Sequence, residues 1–201
     1  METKVERLTD LLQQRLFIEV EASGRHVHLT EEQVQTLFGH NLTPVKELSQ
    51  PGQFAAKERV TVKGPKGQLQ HVAVLGPCRP QAQVEISLTD SRVLGITPPV
   101  RLSGDVAGTP GCELVSDMGS ITLTSGVIAA KRHIHMSERD ARLQNICDGQ
   151  TVRLKLFSQR PVTFEEVTVR VHPSFQTAAH LDYDEANACG WKQGDLGMIC
   201  K

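Results

Sequence analysis

Aromatic side chains are scarce in this chain: 4% of its 201 residues, with one Trp and one Tyr. Single-stranded nucleic acid is held largely by stacking bases on aromatic faces, so that kind of platform has little material here. Charge of one sign is missing too. Twenty-two Lys and Arg stand against 23 Asp and Glu, a formal net of −1, which gives no overall field for a polyanion or an anionic membrane. The longest apolar runs, such as Val127 to Ala130, fall far short of the ~20 residues a bilayer-spanning helix needs. Met1 to Glu21 is charged throughout and has no apolar core of a secretory signal. The five cysteines (Cys78, Cys112, Cys147, Cys189, Cys200) are an odd number with no C-x-x-C pair. That suits reduced thiols in the cytoplasm better than a disulfide framework. These absences predict a cytoplasmic protein with no nucleic-acid or membrane partner, long enough for one domain or two small ones.

What is present is a phrase said twice. Arg25-His26-Val27-His28-Leu29-Thr30-Glu31-Glu32 returns 107 positions later as Arg132-His133-Ile134-His135-Met136-Ser137-Glu138-Arg139. In extended backbone successive side chains alternate faces, so each histidine pair shares one face. Each pair runs into a helix-start signal, Thr30 with Gln33 and Ser137 with Asp140. The sequence thus proposes two strand-to-helix corners, each bearing two imidazoles that can share a metal ion.

The rest of the chain reads mainly as β. Strands are expected at 17–22, at 60–62 with 69–75 as a hairpin across Gly64-Pro65-Lys66-Gly67, and at 83–88, 100–102, 121–130, 151–157, 164–171 and 196–200. Helices are few and short: 31–38, 138–144, and 183–189 ending at Gly190. Before them, Val5, Leu8, Leu12 and Leu16 line one face of an amphipathic helix over residues 1–16. Such a helix docks on its own domain or addresses the protein to a larger assembly. Many short strands between Gly and Pro turns suggest barrels or sandwiches, and the repeated phrase suggests two related barrels.

A third histidine shares the context of the pairs. His180 stands two residues before Asp182, which with Glu185 forms another capping-box spacing, just as His28 precedes Thr30 and His135 precedes Ser137. Helix N-termini at these corners favour anions. Catalytic zinc sites commonly hold three protein ligands and one open position, so each pair needs a third. His180 is a candidate for one pair. Glu85, which interrupts the apolar alternation of Val84, Ile86 and Leu88, is a candidate for the other. A lone H-x-H on a strand is more often merely hydrogen-bonded; two copies with the same flanks favour metal. His40, His71 and His172 lack that context and read as structural or exposed.

Gly76-Pro77-Cys78-Arg79-Pro80 is a rigid turn holding one arginine shortly before Glu85. Its planar fork suits phosphate or carboxylate, although an arginine in such a turn is more often a plain surface residue. Cys78 has no identifiable partner base and reads as a bystander. The segment Ser103 to Gly111 reads equally as a close-approach loop or as a turn between strands, and matches no P-loop or dinucleotide fingerprint.

In order along the chain stand Ser23-Gly24-Arg25-His26-Val27-His28-Leu29, Pro51-Gly52-Gln53-Phe54, Gly64-Pro65-Lys66-Gly67, Leu75-Gly76-Pro77, Gln83-Val84-Glu85-Ile86-Ser87, Pro98-Pro99-Val100-Arg101, Ser103-Gly104-Asp105, Gly108-Thr109-Pro110-Gly111, Arg132-His133-Ile134-His135-Met136-Ser137 and Asp184-Glu185-Ala186-Asn187-Ala188. Over roughly residues 18–190 this resembles the PduL-type phosphotransacylases, or phosphate propanoyltransferases, of bacterial microcompartments. The resemblance implies a mainly β fold of two closely packed β-barrels capped by short helices: one from 17–24 with 131–201, the other from 25–130. It implies a dinuclear zinc site between them, with one zinc on His26, His28 and Glu85 and the other on His133, His135 and His180, and Arg79 as the phosphate-binding arginine. It also implies interchange of acyl-CoA (acetyl or propanoyl) plus phosphate with acyl phosphate plus CoA, homo-oligomers, and packaging in a microcompartment through a leader such as residues 1–16. All seven site positions carry the expected residue type. A zinc-dependent acyl-CoA hydrolase and a non-catalytic shell or scaffold protein are the rival readings; dependence on phosphate, and turnover at all, separate them.

Overall fold

The computed structural model describes Lys4 and residues 17–200. The amphipathic helix expected over 1–16 therefore lies outside the described residues, Lys4 apart. Among the described residues no helix is long and apolar enough to cross a membrane.

By internal contacts the chain divides into a terminal unit, residues 1–23 with 132–201, and a central unit, residues 24–131. The terminal unit is a closed barrel of six strands: β1 (Ile18–Ser23), β11 (His133–Met136), β12 (Thr151–Phe157), β13 (Val162–Val171), β14 (Ala178–Asp182) and β15 (Leu196–Cys200), in the order β1-β14-β11-β13-β12-β15. The central unit holds β2 (His26–His28), β3 (Pro44–Glu47), β4 (Phe54–Lys63), β5 (Gln68–Gly76), β6 (Gln83–Ile86), β7 (Val100–Arg101), β8 (Cys112–Val115), β9 (Ser120–Leu123) and β10 (Val127–Ala130). They form a nine-stranded sheet in the order β7-β10-β6-β2-β5-β4-β8-β9, with β3 paired to β4, which curls as a half-barrel. Among the described residues from 17 on, four short helices follow strands directly: α1 (Glu31–Phe38), α2 (Leu88–Leu94), α3 (Glu138–Gln144) and α4 (Tyr183–Cys189). The mainly β expectation thus holds, with one sheet closed and the other curled.

Alternation builds both cores. In β12, Val152, Leu154 and Leu156 point inward while Thr151, Arg153 and Lys155 face water. Val60 and Val62 of β4 with Val72 and Val74 of β5 do the same in the central unit. The two units repeat one design. Each has a long antiparallel hairpin, β4–β5 or β12–β13, whose second strand carries one left-handed residue, His71 (φ 55°) or Glu166 (φ 54°). The histidine strand then pairs parallel with that second strand: β2 with β5, and β11 with β13.

The expected strand over 121–130 is two strands, β9 and β10, separated by a turn in which Gly126 sits at φ 120° beside the Ala82 carbonyl. The expected strand over 83–88 stops at Ile86, because Ser87 and Asp90 form a capping box that starts α2. Gly111 answers the question left by its loop: a Cβ there would lie 1.9 Å from the Leu123 carbonyl, so its close approach is to the chain's own backbone.

Candidate active site

Core packing orients the first ligand group. Val27, Val84 and Ile86 bury their side chains in the central core, and alternation turns His26, His28, Gln83 and Glu85 to the opposite face. β2 and β6 run antiparallel with His26 opposite Glu85 and His28 opposite Gln83. One ligand atom from each of His26, His28 and Glu85 lies within 4.8 Å of the others, and all three residues are buried.

His26 directs Nδ1 to the Gly24 carbonyl at 2.8 Å and Nε2 toward Glu85 Oε1 at 3.4 Å. Burial works against the charged imidazole, but the charge and hydrogen bond of Glu85 outweigh it and hold its pKa above the ordinary value. Burial alone would raise Glu85; His26, then His28 and a Ser103 hydrogen bond, instead keep it well below the usual carboxylate range. His28 is pushed down to about 3, first by burial and then by the nearby charges of His26 and Arg79. It is a neutral imidazole at pH 7. One nitrogen bonds the Leu75 backbone, and the buried Nδ1 has no hydrogen-bond partner. A buried acceptor left over beside a carboxylate and a second imidazole is the donor set a borderline divalent ion completes. The residues fit zinc.

The second group is built the same way in the barrel. Ile134, Met136, Ala179 and Leu181 fill the core, and β11 meets β14 antiparallel with His133 opposite His180. The rings of His133 and His180 stack 5.1 Å apart, and the His135 ring stands 4.7 Å from His133 and 4.8 Å from His180. Their ligand atoms also lie within 4.8 Å of one another. Three imidazoles facing one another suit a shared cation far better than three protons, since like charges at that spacing repel.

Four of the six candidate ligands share one local device. His28, Glu85, His135 and His180 each stand two residues before a helix N-cap: Thr30, Ser87, Ser137 and Asp182. Each cap oxygen accepts the N–H of the third helical residue, which fixes the corner on which the ligand sits. The Glu85 corner was hidden in the sequence by reading β6 through to Leu88, although Ser87 and Asp90 carried the signal.

Arg79 lies in the central unit, its backbone N–H donating to the Leu29 carbonyl at 2.8 Å just before the α1 cap. Its guanidinium donates to Ser103 Oγ at 3.0 Å. Ser103 also accepts from Gln83 Nε2 at 2.9 Å, and the same amide donates to Glu85 Oε1, while Gln83 Oε1 accepts from the Gly104 N–H at 2.7 Å. Gln83 and Ser103 thus join the arginine to a ligand carboxylate. Neither was foreseen as a site residue, although both lie in motifs that carry the resemblance and Gln83 stands two positions before Glu85, hence on its face. Cys78 faces a cavity of about 300 Å³ lined by Glu31, Glu32, Val34, Gln35, Asn41 and Leu42, and burial, then Glu31, pushes its thiol pKa up. His40 and His172 are exposed and His71 sits in its hairpin bulge, all outside both groups.

Residues 19–192 match the family model of the phosphate propanoyltransferases. A phosphate propanoyltransferase of Clostridioides difficile is 52% identical over 199 residues, covering 98% of this chain and 95% of that protein. One of Listeria monocytogenes is 53% identical over 186 residues (92% of this chain, 87% of the relative). One of Thermotoga maritima is 49% identical over 199 residues, again 98% of this chain and 95% of the relative.

Proposed function

The chain belongs to the phosphate propanoyltransferase family, and from that premise we propose a zinc-dependent enzyme that interconverts short-chain acyl-CoA plus phosphate with acyl phosphate plus CoA. That it is a phosphate acyltransferase follows from the family. Zinc dependence and the roles of individual residues rest on the two ligand groups, His26–His28–Glu85 and His133–His135–His180, and above all on the buried, unpartnered Nδ1 of His28 beside Glu85. Each group would hold one ion.

Zinc, when bound, supplies a Lewis acid for the thioester carbonyl or for the charge of the departing CoA thiolate. The chain's own residues do the rest. Arg79 holds phosphate in a charge-assisted fork, and the Ser103–Gln83 bonds set where that fork points. A phosphate oxygen attacks the thioester carbonyl carbon, a C–O bond forms, the C–S bond breaks, and CoA leaves as the thiolate. Direct displacement is favoured because the cysteines nearest to candidacy are poor nucleophiles. Burial and Glu31 keep Cys78 a thiol, and burial pushes Cys112 to about 12. The acyl group is acetyl or propanoyl; the relatives are named for propanoyl. Supported by its amphipathic stripe, the segment 1–16 serves in this reading as an address to a bacterial microcompartment.

The test is release of CoA from acetyl-CoA and propanoyl-CoA, with and without phosphate, beside elemental analysis for zinc. Phosphate-dependent release with acyl phosphate as product and about two zinc ions per chain is expected. Release without phosphate would instead make the protein a hydrolase.

A further inference from the structure

We propose that Arg25 and Arg132, the residues immediately before the two H-x-H pairs, are positioning residues that lock each third metal ligand against its histidine strand. The inference rests on the metal reading above and goes beyond it, because neither arginine is a ligand.

Each arginine reaches the acid at the third position of the helix that follows the third ligand. Arg25 NH1 lies 3.3 Å from Asp90 Oδ1 in α2, and Arg132 NH1 lies 2.8 Å from Glu185 Oε1 in α4. The other oxygen of each carboxylate is already used within its corner. Asp90 Oδ2 accepts the Ser87 N–H, and Glu185 Oε2 accepts the Asp182 N–H. One carboxylate therefore ties the helix cap to the arginine. The connection closes a ring: from Arg25 along the chain to His26, across the strand pair to Glu85, through the cap to Asp90, and back. In the barrel the ring runs Arg132, His133, His180, Glu185. Arg132 is fixed further by donating Nε–H to the Glu165 carbonyl at 2.8 Å and by lying 5.7 Å over the Phe164 ring.

The pattern is selective. The helices that follow the H-x-H strands carry Gln33 and Asp140 at the same position; Gln33 bonds only its own cap, and Asp140 accepts from Thr177. An arginine clamp thus occurs at the two corners whose ligand comes from a different strand, where sequence adjacency does not fix the spacing to the histidine pair. Groups behind the first ligands commonly tune metal affinity by tenfold to a hundredfold.

The experiment measures zinc affinity of the full chain by chelator competition for the parent, Arg25→Met, Arg132→Met and Glu185→Gln. Expected are two tight ions in the parent, and in each variant one tight ion with the other weakened about tenfold or more. Glu185→Gln should match Arg132→Met, and combining them should add little. Arg132→Met unfolded as isolated would leave Glu185→Gln and Arg25→Met to decide. Two equally tight ions in those variants, with or without a lower melting temperature, would overturn the clamp; so would equal weakening of both ions. A parent that binds no zinc overturns the metal reading itself, and the clamp with it.

Discussion

Replacing Gln83 with leucine tests the link between Arg79, the proposed phosphate arginine, and Glu85, the proposed metal ligand. Gln83 is 2% exposed and makes three hydrogen bonds, to Glu85, Ser103 and the Gly104 N–H. The bond to the ionised Glu85 carries about 1.5–3 kcal/mol and the two neutral ones about 1 kcal/mol each. Leucine leaves the Gly104 N–H and one Glu85 oxygen short of a partner and returns part of the loss as apolar contact. A net destabilisation of about 3 kcal/mol follows, or roughly 6–12 °C in Tm for a chain of this length unfolding cooperatively. Ser103 loses its bond from Gln83 and keeps those to Arg79 and Glu85, so Arg79 is held less firmly and the KM for phosphate rises more than that for acyl-CoA. Thermal melts and initial rates at varied phosphate read both effects. Gln83→Glu adds a direction: it can still accept from Gly104, but its carboxylate repels Glu85 until it is protonated. Its Tm deficit therefore shrinks as pH falls, whereas that of Gln83→Leu does not. A Gln83→Leu protein with an unchanged Tm, or with both KM values shifted equally, would refute the reasoning.

Arg79→Ala should weaken phosphate use while leaving bound zinc near normal, because its guanidinium donates to Ser103, which is not one of the proposed ligands; loss of zinc on elemental analysis would remove its assignment. His28→Ala and His135→Ala should each lower zinc content by about one ion per chain, one from each group. In the folded chain at pH 8, iodoacetamide should label exposed Cys147 first and spare Cys112 and Cys189, which burial holds as thiols, until denaturant is added; mass mapping of the labelled peptides decides it. Gly111→Ala should cost several kcal/mol or prevent folding, since its Cβ meets the Leu123 carbonyl and not a movable side chain; wild-type Tm would count against that packing.

The strands that bring the two side-chain groups together were legible because core packing and the placing of those groups use the same alternation. Valines and isoleucines that must enter the core leave their neighbours no choice of face, so H-x-H and the lone Glu85 could be read without a structure. The corners were legible for a second reason: a cap has a fixed spacing, as Asp182 and Glu185 show. What stayed hidden depended on contacts between distant segments. Ser103 approaches Gln83 from 20 positions away, and nothing local in Ser-Gly-Asp marks that meeting. The same holds for β3 and β14, which no alternation of their own announced: β3 is exposed along its length, whereas four of the five β14 residues are buried. The division of 121–130 into β9 and β10 was masked by the β-prone residues on both sides of Ser125-Gly126.

The opposing shifts within the first ligand group make zinc binding there depend on pH in a calculable direction. In the metal-free chain the His26 pKa is raised, so its pairing with Glu85 contributes stability fully present below the unfolded imidazole value of about 6.5 and lost as pH rises through the folded one. Glu85 is depressed; its contribution is present above about 4.3 and lost only as pH falls through its folded value. The pair is therefore most stabilising in weak acid. Zinc needs the opposite state, because it displaces the His26 proton, while His28, at about 3, and Glu85 have none to give. Below the folded His26 pKa, one proton is released per ion and affinity falls about tenfold per pH unit. In His135→Ala, where the first group alone keeps all its ligands, the rise in Tm produced by zinc should therefore grow from pH 5.5 to pH 8. Isothermal titration in buffers of different ionisation enthalpy should show about one proton released per ion at the acid end. A zinc-induced Tm rise that is flat across that range would mean that His26 and Glu85 do not hold the ion together.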